Sequence, residues 1–278
     1  MADSPNPVLA IPLRFVEMIG TKAIFVLESI GGVWLLLVET CRWIISAVVG
    51  RKTRLGRNAI FTQIVRIGVR SILIVSLVSG AVGFILGLQM APPLDDLGSV
   101  ELIPNIIGVA VIRELGPLMA AIVLTGFAGA AIAAEIGTMV VGEEIEALEA
   151  SALNPVRFLV VPRLIAAVIS MTLLAVISDA VAILSGLLMG TMVLGLTYTT
   201  YIENTLLQVQ TVDFVTGLIK AAVFGMLIGI IACYNGLKVT GGAAGVGNAT
   251  TNTVVQSILA IVVADLIFTS IFYATGLA

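Results

Sequence analysis

Five apolar segments, each of twenty residues or more, constrain this chain more than any other feature of its sequence. An α-helix of about 20 apolar residues is long enough to cross the ~30 Å hydrocarbon layer of a membrane. The composition agrees, because 59% of the 278 residues are hydrophobic and 11% are charged, against about 25% charged residues in soluble domains. The sequence therefore predicts an all-α integral membrane protein with spans at approximately 71–90, 105–134, 164–194, 214–237 and 253–278.

Lysine and arginine are distributed unevenly around these spans, and basic residues remain on the cytoplasmic side of a membrane. The loops after the first and third spans contain neither residue, whereas those after the second and fourth carry Arg157, Arg163 and Lys238. Six basic residues precede the first span: Arg51, Lys52, Arg54, Arg57, Arg66 and Arg70. The N-terminal stretch also lacks the basic-then-apolar order of a secretory signal peptide. We therefore predict a cytoplasmic N-terminus and a C-terminus on the opposite, periplasmic side.

The segment 23–50 is open to two interpretations. Its apolar run is interrupted by Glu28, Glu39 and Arg42, and its two tryptophans are typical of a headgroup boundary. We interpret it as a helix that lies in the cytoplasmic interface, and assign residues 1–60 to a cytoplasmic N-terminus containing this amphipathic helix. The alternative is a sixth span, since the segment is long enough to cross.

An acidic stretch, GEEIEALEASALNPVRFLVVPR at 142–163, separates the second and third spans. As a helix over 143–153 it would place Ile145 and Leu148 on one face, and it is too short to cross a membrane. Its glutamates occupy the remaining surface: Glu143, Glu144, Glu146 and Glu149. Helices that bind lipid surfaces usually carry lysine and arginine on their polar face. We therefore predict that this short helix binds another protein.

Ionisable residues inside the predicted spans are costly and suggest function. Four of them fall about 10–12 Å below the outer boundary when counted at ~1.5 Å per residue: Arg113, Glu114, Lys220 and Asp265. They could form an ion network that fixes the register of the helices, or they could contact a phosphate headgroup. Glu135, near the cytoplasmic end, and Asp179 do not share this level, and we assign them no role beyond packing or polar lining.

The motifs of common enzymes are absent from the sequence. It has no histidine, and the spacing of Cys41 and Cys233 is not that of a metal site, so we predict neither metal nor catalytic residues. It also lacks GxxxxGK[ST], HExxH and GxSxG. The glycine-rich GGAAGVG at 241–247 has no lysine, and we predict a turn there. The net charge of −3 provides no basic surface for nucleic acid. We expect no cofactor on this chain, so any ATP must bind another one.

The longest motif is VIRELGPLMAAIVLTGFAGAAIAAEIGTMVVGEEIEALEASALNPVRFLVVPR at 111–163. Together with GLQ at 87–89, YNG at 234–236, AGVGNATTNTVV at 244–255 and Asp265, it resembles the signature of the MlaE/YrbE permease family. These proteins are the membrane subunits of MCE-type ABC transporters. The resemblance covers roughly residues 60–278 and marks 61–278 as a permease domain of this type.

The resemblance implies an interfacial N-terminal helix followed by five spans, and a homodimer in the cell inner membrane. It further implies a cytoplasmic coupling helix, matched here by the acidic stretch, that docks on an ABC ATPase subunit where ATP is bound. An MCE-domain protein would be the partner on the outer side, and phospholipid the substrate. The direction of lipid movement does not follow from the resemblance.

Two other functions remain open at this stage. The first is a secondary transporter or channel that is driven by an ion gradient and uses the four intramembrane charges as a relay. The second is a non-transporting membrane scaffold whose acidic helix recruits a cytoplasmic protein. Activity without an ATPase would favour the first of these, and binding without stimulation of ATP hydrolysis would favour the second.

Overall fold

The computed structural model describes residues 7–49 and 56–276, and all regular secondary structure in these ranges is helical. The prediction of an all-α protein is thus confirmed. The α-helices are α1 (Pro7–Val49), α2 (Arg57–Ile67), α3 (Ile72–Asp96), α4 (Ile103–Ala110), α5 (Gly116–Leu124), α6 (Ala130–Val141), α7 (Glu144–Ala150), α8 (Val161–Met192), α9 (Tyr198–Gln208), α10 (Thr211–Leu237) and α11 (Gly242–Ala274). Of the basic cluster that precedes the first span, Arg51, Lys52 and Arg54 lie outside the described residues.

Six helical stretches in the described ranges are long and apolar enough to cross a membrane: Leu27–Ala47, Asn58–Asp96, Val100–Val141, Val156–Met192, Thr211–Leu237 and Gly242–Ala274. Most extend beyond the apolar segments visible in the sequence, because the helices continue into the polar residues at their ends. The third stretch joins α4, α5 and α6 into one nearly continuous span. Residues 241–247 differ from prediction, since only Gly241 forms the predicted turn and α11 already begins at Gly242.

Helix α8 is the centre of the bundle and packs against α2, α3, α5 and α10. It is lined by small and apolar residues that are fully or almost fully buried, including Ala166, Met171, Leu174 and Ala175. Helix α11 lies at the periphery, against α6 and α10. One of its sides exposes large apolar side chains: Val255, Leu259, Val262, Val263, Leu266, Ile267 and Ile271.

Glycines allow the central helices to approach closely. A Cβ atom at Gly83 of α3 would collide with the backbone carbonyl of Ala182 in α8. Gly186 and Gly190, also in α8, instead leave space for the ring of Tyr201 from α9. Burial raises the pKa of Tyr201 to about 12, so its hydroxyl stays protonated. Small residues on membrane helices thus serve here both helix packing and the seating of a loop helix.

Prolines account for two of the three wide, π-helical turns. Val111–Leu115 precedes Pro117, and Val156–Val160 precedes Pro162. A proline lacks an amide hydrogen and its ring displaces the carbonyl four residues earlier, so the helix before it must deform. Next to Pro117, the hydroxyl of Ser178 donates a 3.0 Å hydrogen bond to the carbonyl of Gly116. The first of these turns carries two of the predicted intramembrane charges.

Helix α1 contacts the rest of the protein at the end of the bundle that carries α7. The ring of Tyr234, near the end of α10, lies against Gly32, and the guanidinium of Arg157 lies 5.6 Å from the centre of the Trp43 ring. A helix lying in the interface would make such contacts. Leu27–Ala47 is equally long and apolar enough to cross the membrane, as the alternative of a sixth span requires.

The contact between α3 and α8 provides a test of this packing. We expect Gly83→Ala to lower the free energy of unfolding by about 1–3 kcal/mol, because the added methyl group overpacks the two backbones. The matched control is Gly31→Ala, since a Cβ atom added at Gly31 would have no neighbour within 4 Å. Thermal unfolding of the purified protein in detergent measures both. Equal unfolding temperatures for Gly83→Ala and the unmodified protein would contradict this close approach.

Candidate functional site

Lys220 of α10 is the centre of a buried ion network. Its Nζ atom lies 2.5 Å from a carboxylate oxygen of Glu114 and 3.0 Å from Oδ1 of Asp265. It also donates a 2.9 Å hydrogen bond to the hydroxyl of Thr269, which in turn donates one of 2.9 Å to the second oxygen of Glu114. Only 1% of the lysine side chain is exposed, so a charge that would be costly in a bilayer is compensated by two carboxylates.

Arg113 is not part of this network, although the sequence placed it at the same level. Its Nε atom donates a 2.6 Å hydrogen bond to Oδ1 of Asp213, a residue that the sequence assigned to a loop. The other oxygen of Asp213 accepts from the backbone amide of Gln210 and caps α10. Neighbouring residues on a helix point about 100° apart, so Arg113 and Glu114 reach different partners. The predicted group of four is therefore two separate clusters.

Two members of these clusters were missed from the sequence. Thr269 lies four residues after Asp265 on α11 and hence on the same helix face, a spacing that the sequence does contain. Asp213 could have been recognised by its position three residues after Gln210, where the two side chains form a reciprocal cap at the start of α10. Its pairing with Arg113 depends on tertiary packing and has no local signal.

The acidic helix is shorter than predicted. It runs over Glu144–Ala150, whereas the sequence suggested 143–153. Glu143 adopts a left-handed backbone conformation with φ of 57° and so precedes the helix. At the other end Ala152 also has a positive φ, 58°, and the side chain of Asn154 caps the turn that follows. The helix thus ends earlier than predicted because the chain reverses direction at Ala152, before Asn154 and Pro155.

The two faces of α7 differ. All four glutamates are exposed to solvent: Glu143, Glu144, Glu146 and Glu149. Ile145 and Leu148 are half-buried, and Ile145 packs against the main hydrophobic core. The helix is therefore seated on the bundle by its apolar side and presents a purely acidic surface outward.

A third ion cluster lies at the α7 end of the bundle. One carboxylate oxygen of Glu135, in α6, lies 2.7 Å from Arg66 of α2, and the other lies 3.0 Å from Arg163 of α8. The sequence assigned Glu135 no role beyond packing or polar lining. Asp179, the other residue treated in this way, is buried against Gly116, beside the π-helical turn that contains Glu114. Among the described residues, no group of three or more potential ligands could hold a metal ion.

Long apolar helices, compensated charges within them and a small acidic helix at one end define a multi-pass membrane protein of the permease class. A family model described as permease MlaE matches residues 60–271, which is most of the chain. The chain belongs to the MlaE permease family.

Named relatives agree with this assignment over most of the chain. A probable ABC transporter permease protein of Rickettsia prowazekii is 34% identical over 261 residues, 94% of this chain and 98% of that protein. The intermembrane phospholipid transport system permease protein MlaE of Haemophilus influenzae is 30% identical over 95% of this chain and 99% of its own length. The chloroplastic protein TRIGALACTOSYLDIACYLGLYCEROL 1 of Arabidopsis thaliana is 34% identical over 76% of this chain and 60% of its own.

The network around Lys220 predicts a specific pattern of stability. We expect Lys220→Met to lower the free energy of unfolding by about 3 kcal/mol, the lower end of the range for a buried pair, because the two carboxylates that lose their cation are partly exposed. Adding Asp265→Asn should recover part of this loss, giving a coupling energy of about 0.5–3 kcal/mol in a double-mutant cycle. Chemical or thermal unfolding in detergent measures each variant. Arg70→Gln, at an exposed position, is the control, and strictly additive losses would argue against the pairing.

Proposed function

We propose that this chain is the membrane permease of an ATP-driven transporter that moves phospholipid between the inner membrane and an MCE-domain partner. The observation that carries the proposal is the family match together with the exposed acidic face of α7. The names of the relatives in Rickettsia and Haemophilus, an ABC transporter permease and a phospholipid transport permease, support it. We infer no direction of transport.

In the proposed assembly two copies of the chain form a homodimer in the cell inner membrane. The exposed apolar side of α11 supports a helix contact with a second copy or with lipid. An ABC ATPase subunit binds ATP and docks on α7 from the cytoplasm, with the chain's N-terminus on that side and its C-terminus in the periplasm. The distribution of basic residues supports this orientation, since Arg66, Arg157, Arg163 and Lys238 all belong to the α7 end.

Transport would begin when ATP binding closes the ATPase subunits and displaces α7. Because α7 is seated on the core by Ile145, the displacement is passed to α6 and α8 as a largely rigid-body movement. A cavity between the two copies would then open toward the MCE partner and release the lipid there. This chain supplies no catalytic group to ATP hydrolysis and acts by binding and moving.

The intramembrane charges have two different roles in this proposal. Lys220 is fully buried and has three partners, so we assign its cluster to fixing the relative position of the π-helical turn Val111–Leu115, α10 and α11. Arg113 is 29% exposed and has a single carboxylate partner. Its Nε atom is bound to the buried Asp213, so of the two cations it is the one whose remaining guanidinium nitrogens can bind a phosphate oxygen while that pair stays intact.

The composition of the native complex tests the proposal directly. We expect a tag on this chain, purified gently from native membranes, to recover an ATPase subunit, an MCE protein and bound phospholipid, all identified by mass spectrometry. Recovery of a homodimer free of any ATPase would favour a secondary transporter, for which the Lys220 network would be an ion relay. Recovery of a cytoplasmic partner without stimulated ATP hydrolysis would favour a scaffold.

Charge reversal on α7 tests the docking surface. We expect Glu146→Lys with Glu149→Lys to abolish co-purification of the ATPase while leaving the unfolding temperature nearly unchanged, because both side chains are exposed. The matched control is Glu203→Lys, an exposed glutamate on α9 at the opposite end of the bundle. Undiminished recovery of the ATPase with the double variant would place the docking surface elsewhere.

A further inference from the structure

The ion cluster of Glu135 joins three helices at the base of α7. Glu135 lies six residues before the end of α6, and Arg163 is the third residue of α8. Between them the chain leaves the bundle, forms α7 and returns. The 3.0 Å ion pair between Glu135 and Arg163 therefore closes the base of this excursion. The second pair, from Glu135 to Arg66, extends the connection to α2.

The Arg163 pair is fixed by burial. Only 6% of the Arg163 side chain is exposed, and one of its terminal nitrogens donates a 2.9 Å hydrogen bond to the carbonyl of Leu159, in the π-helical turn that follows α7. The other terminal nitrogen pairs with Glu135. Separating this pair would leave a buried guanidinium without a counter-charge, which is strongly unfavourable. Glu135 and Arg163 must therefore move together.

The Arg66 pair can open. Arg66 is 45% exposed, so its guanidinium can exchange the carboxylate for water at little cost. The Glu135 carboxylate thus forms two ion pairs: the one to Arg163 of α8 stays closed, and the one to Arg66 of α2 can open. Breaking the second pair removes the ionic connection of α2 to α6 and leaves α2 held by its packing along α8.

We propose that Glu135 is a positioning residue through which displacement of α7 reaches α2, with the Arg66 pair as the contact that opens and closes during transport. This inference rests on the proposed function, because it requires an ATPase that moves α7. Opening of the Arg66 pair would let α2 move relative to α6 and α8, which move together as one rigid unit.

A headgroup site is the other function that two arginines could serve here. The cavity beside Arg66 has a volume of about 20 Å³ and is lined by Gln63, Phe127 and Glu135 among others. That volume accommodates about one water molecule, and a phosphate group with its substituents is far larger. The arrangement of one acid between two bases also gives each arginine a carboxylate partner within the protein. The geometry therefore points to a connection between helices.

The test uses the complete complex in vesicles of phosphatidylethanolamine and phosphatidylglycerol that contain a labelled phosphatidylglycerol. The measured quantity is the amount of labelled lipid moved, in either direction, between the vesicles and the MCE partner per ATP hydrolysed. We expect Arg66→Gln to lower this ratio about two- to five-fold, the range that corresponds to the loss of one exposed ion pair. Arg66→Lys retains the charge and should restore most of it. Arg70→Gln, also exposed and on the same side, is the matched control.

The outcomes separate this inference from the proposed function. Failure of the unmodified complex to contain or stimulate an ATPase would overturn both. A coupled unmodified complex with an equal ratio for Arg66→Gln would overturn the inference alone, as would equal losses for Arg66→Gln and Arg66→Lys. A double-mutant cycle of Arg66→Gln and Glu135→Gln, measured by thermal unfolding in detergent, identifies a purely structural role. A pair with only that role would lower the unfolding temperature when removed and would leave the lipid moved per ATP unchanged.

Discussion

The need to satisfy every polar group inside a membrane governs the rest of this structure. Within a bilayer core no water is available to backbone amides and carbonyls, so the chain forms helices that pair these groups internally. Side chains also donate hydrogen bonds to backbone carbonyls within the bundle, as Ser178 does to Gly116 and Arg163 does to Leu159. The same requirement applies to charges, and Lys220 is tolerated in the bundle only because two carboxylates and a hydroxyl surround it.

The sequence was sufficient for the fold class and for most of the spans, because a run of twenty apolar residues has few alternatives to a membrane helix. It also predicted that the intramembrane charges on the second, fourth and fifth predicted spans lie at a common depth, and the structure brings Glu114, Lys220 and Asp265 together. Depth follows from counting residues along a helix. Direction around the helix does not, since the π-helical turn at Val111–Leu115 rotates its side chains away from ideal positions.

The misjudged features are those that depend on contacts between distant segments. Arg113 pairs with Asp213, one hundred residues away, and no local pattern links them. Glu135 was given no functional role because its partners come from two other helices. The acidic helix was predicted too long because the sequence contains good helix formers up to Leu153, while the chain reverses at Ala152. Local propensity places an element, but tertiary packing determines its ends and its partners.

The Glu135 cluster and the Lys220 cluster also differ in net charge, and the difference agrees with the proposed orientation. Two arginines share one glutamate at the α7 end, which leaves one positive charge, whereas one lysine lies between two carboxylates at the other level. Glu114 and Glu135 are 21 residues apart on one nearly continuous span, a distance of about 30 Å along the helix axis. In the proposed orientation, the cluster with the excess positive charge lies on the cytoplasmic side, where anionic lipids attract positive charge. The α4–α6 span therefore takes part in two ion clusters of opposite charge balance, one near its α7 end and one at Glu114, and α7 follows it after the turn at Glu143.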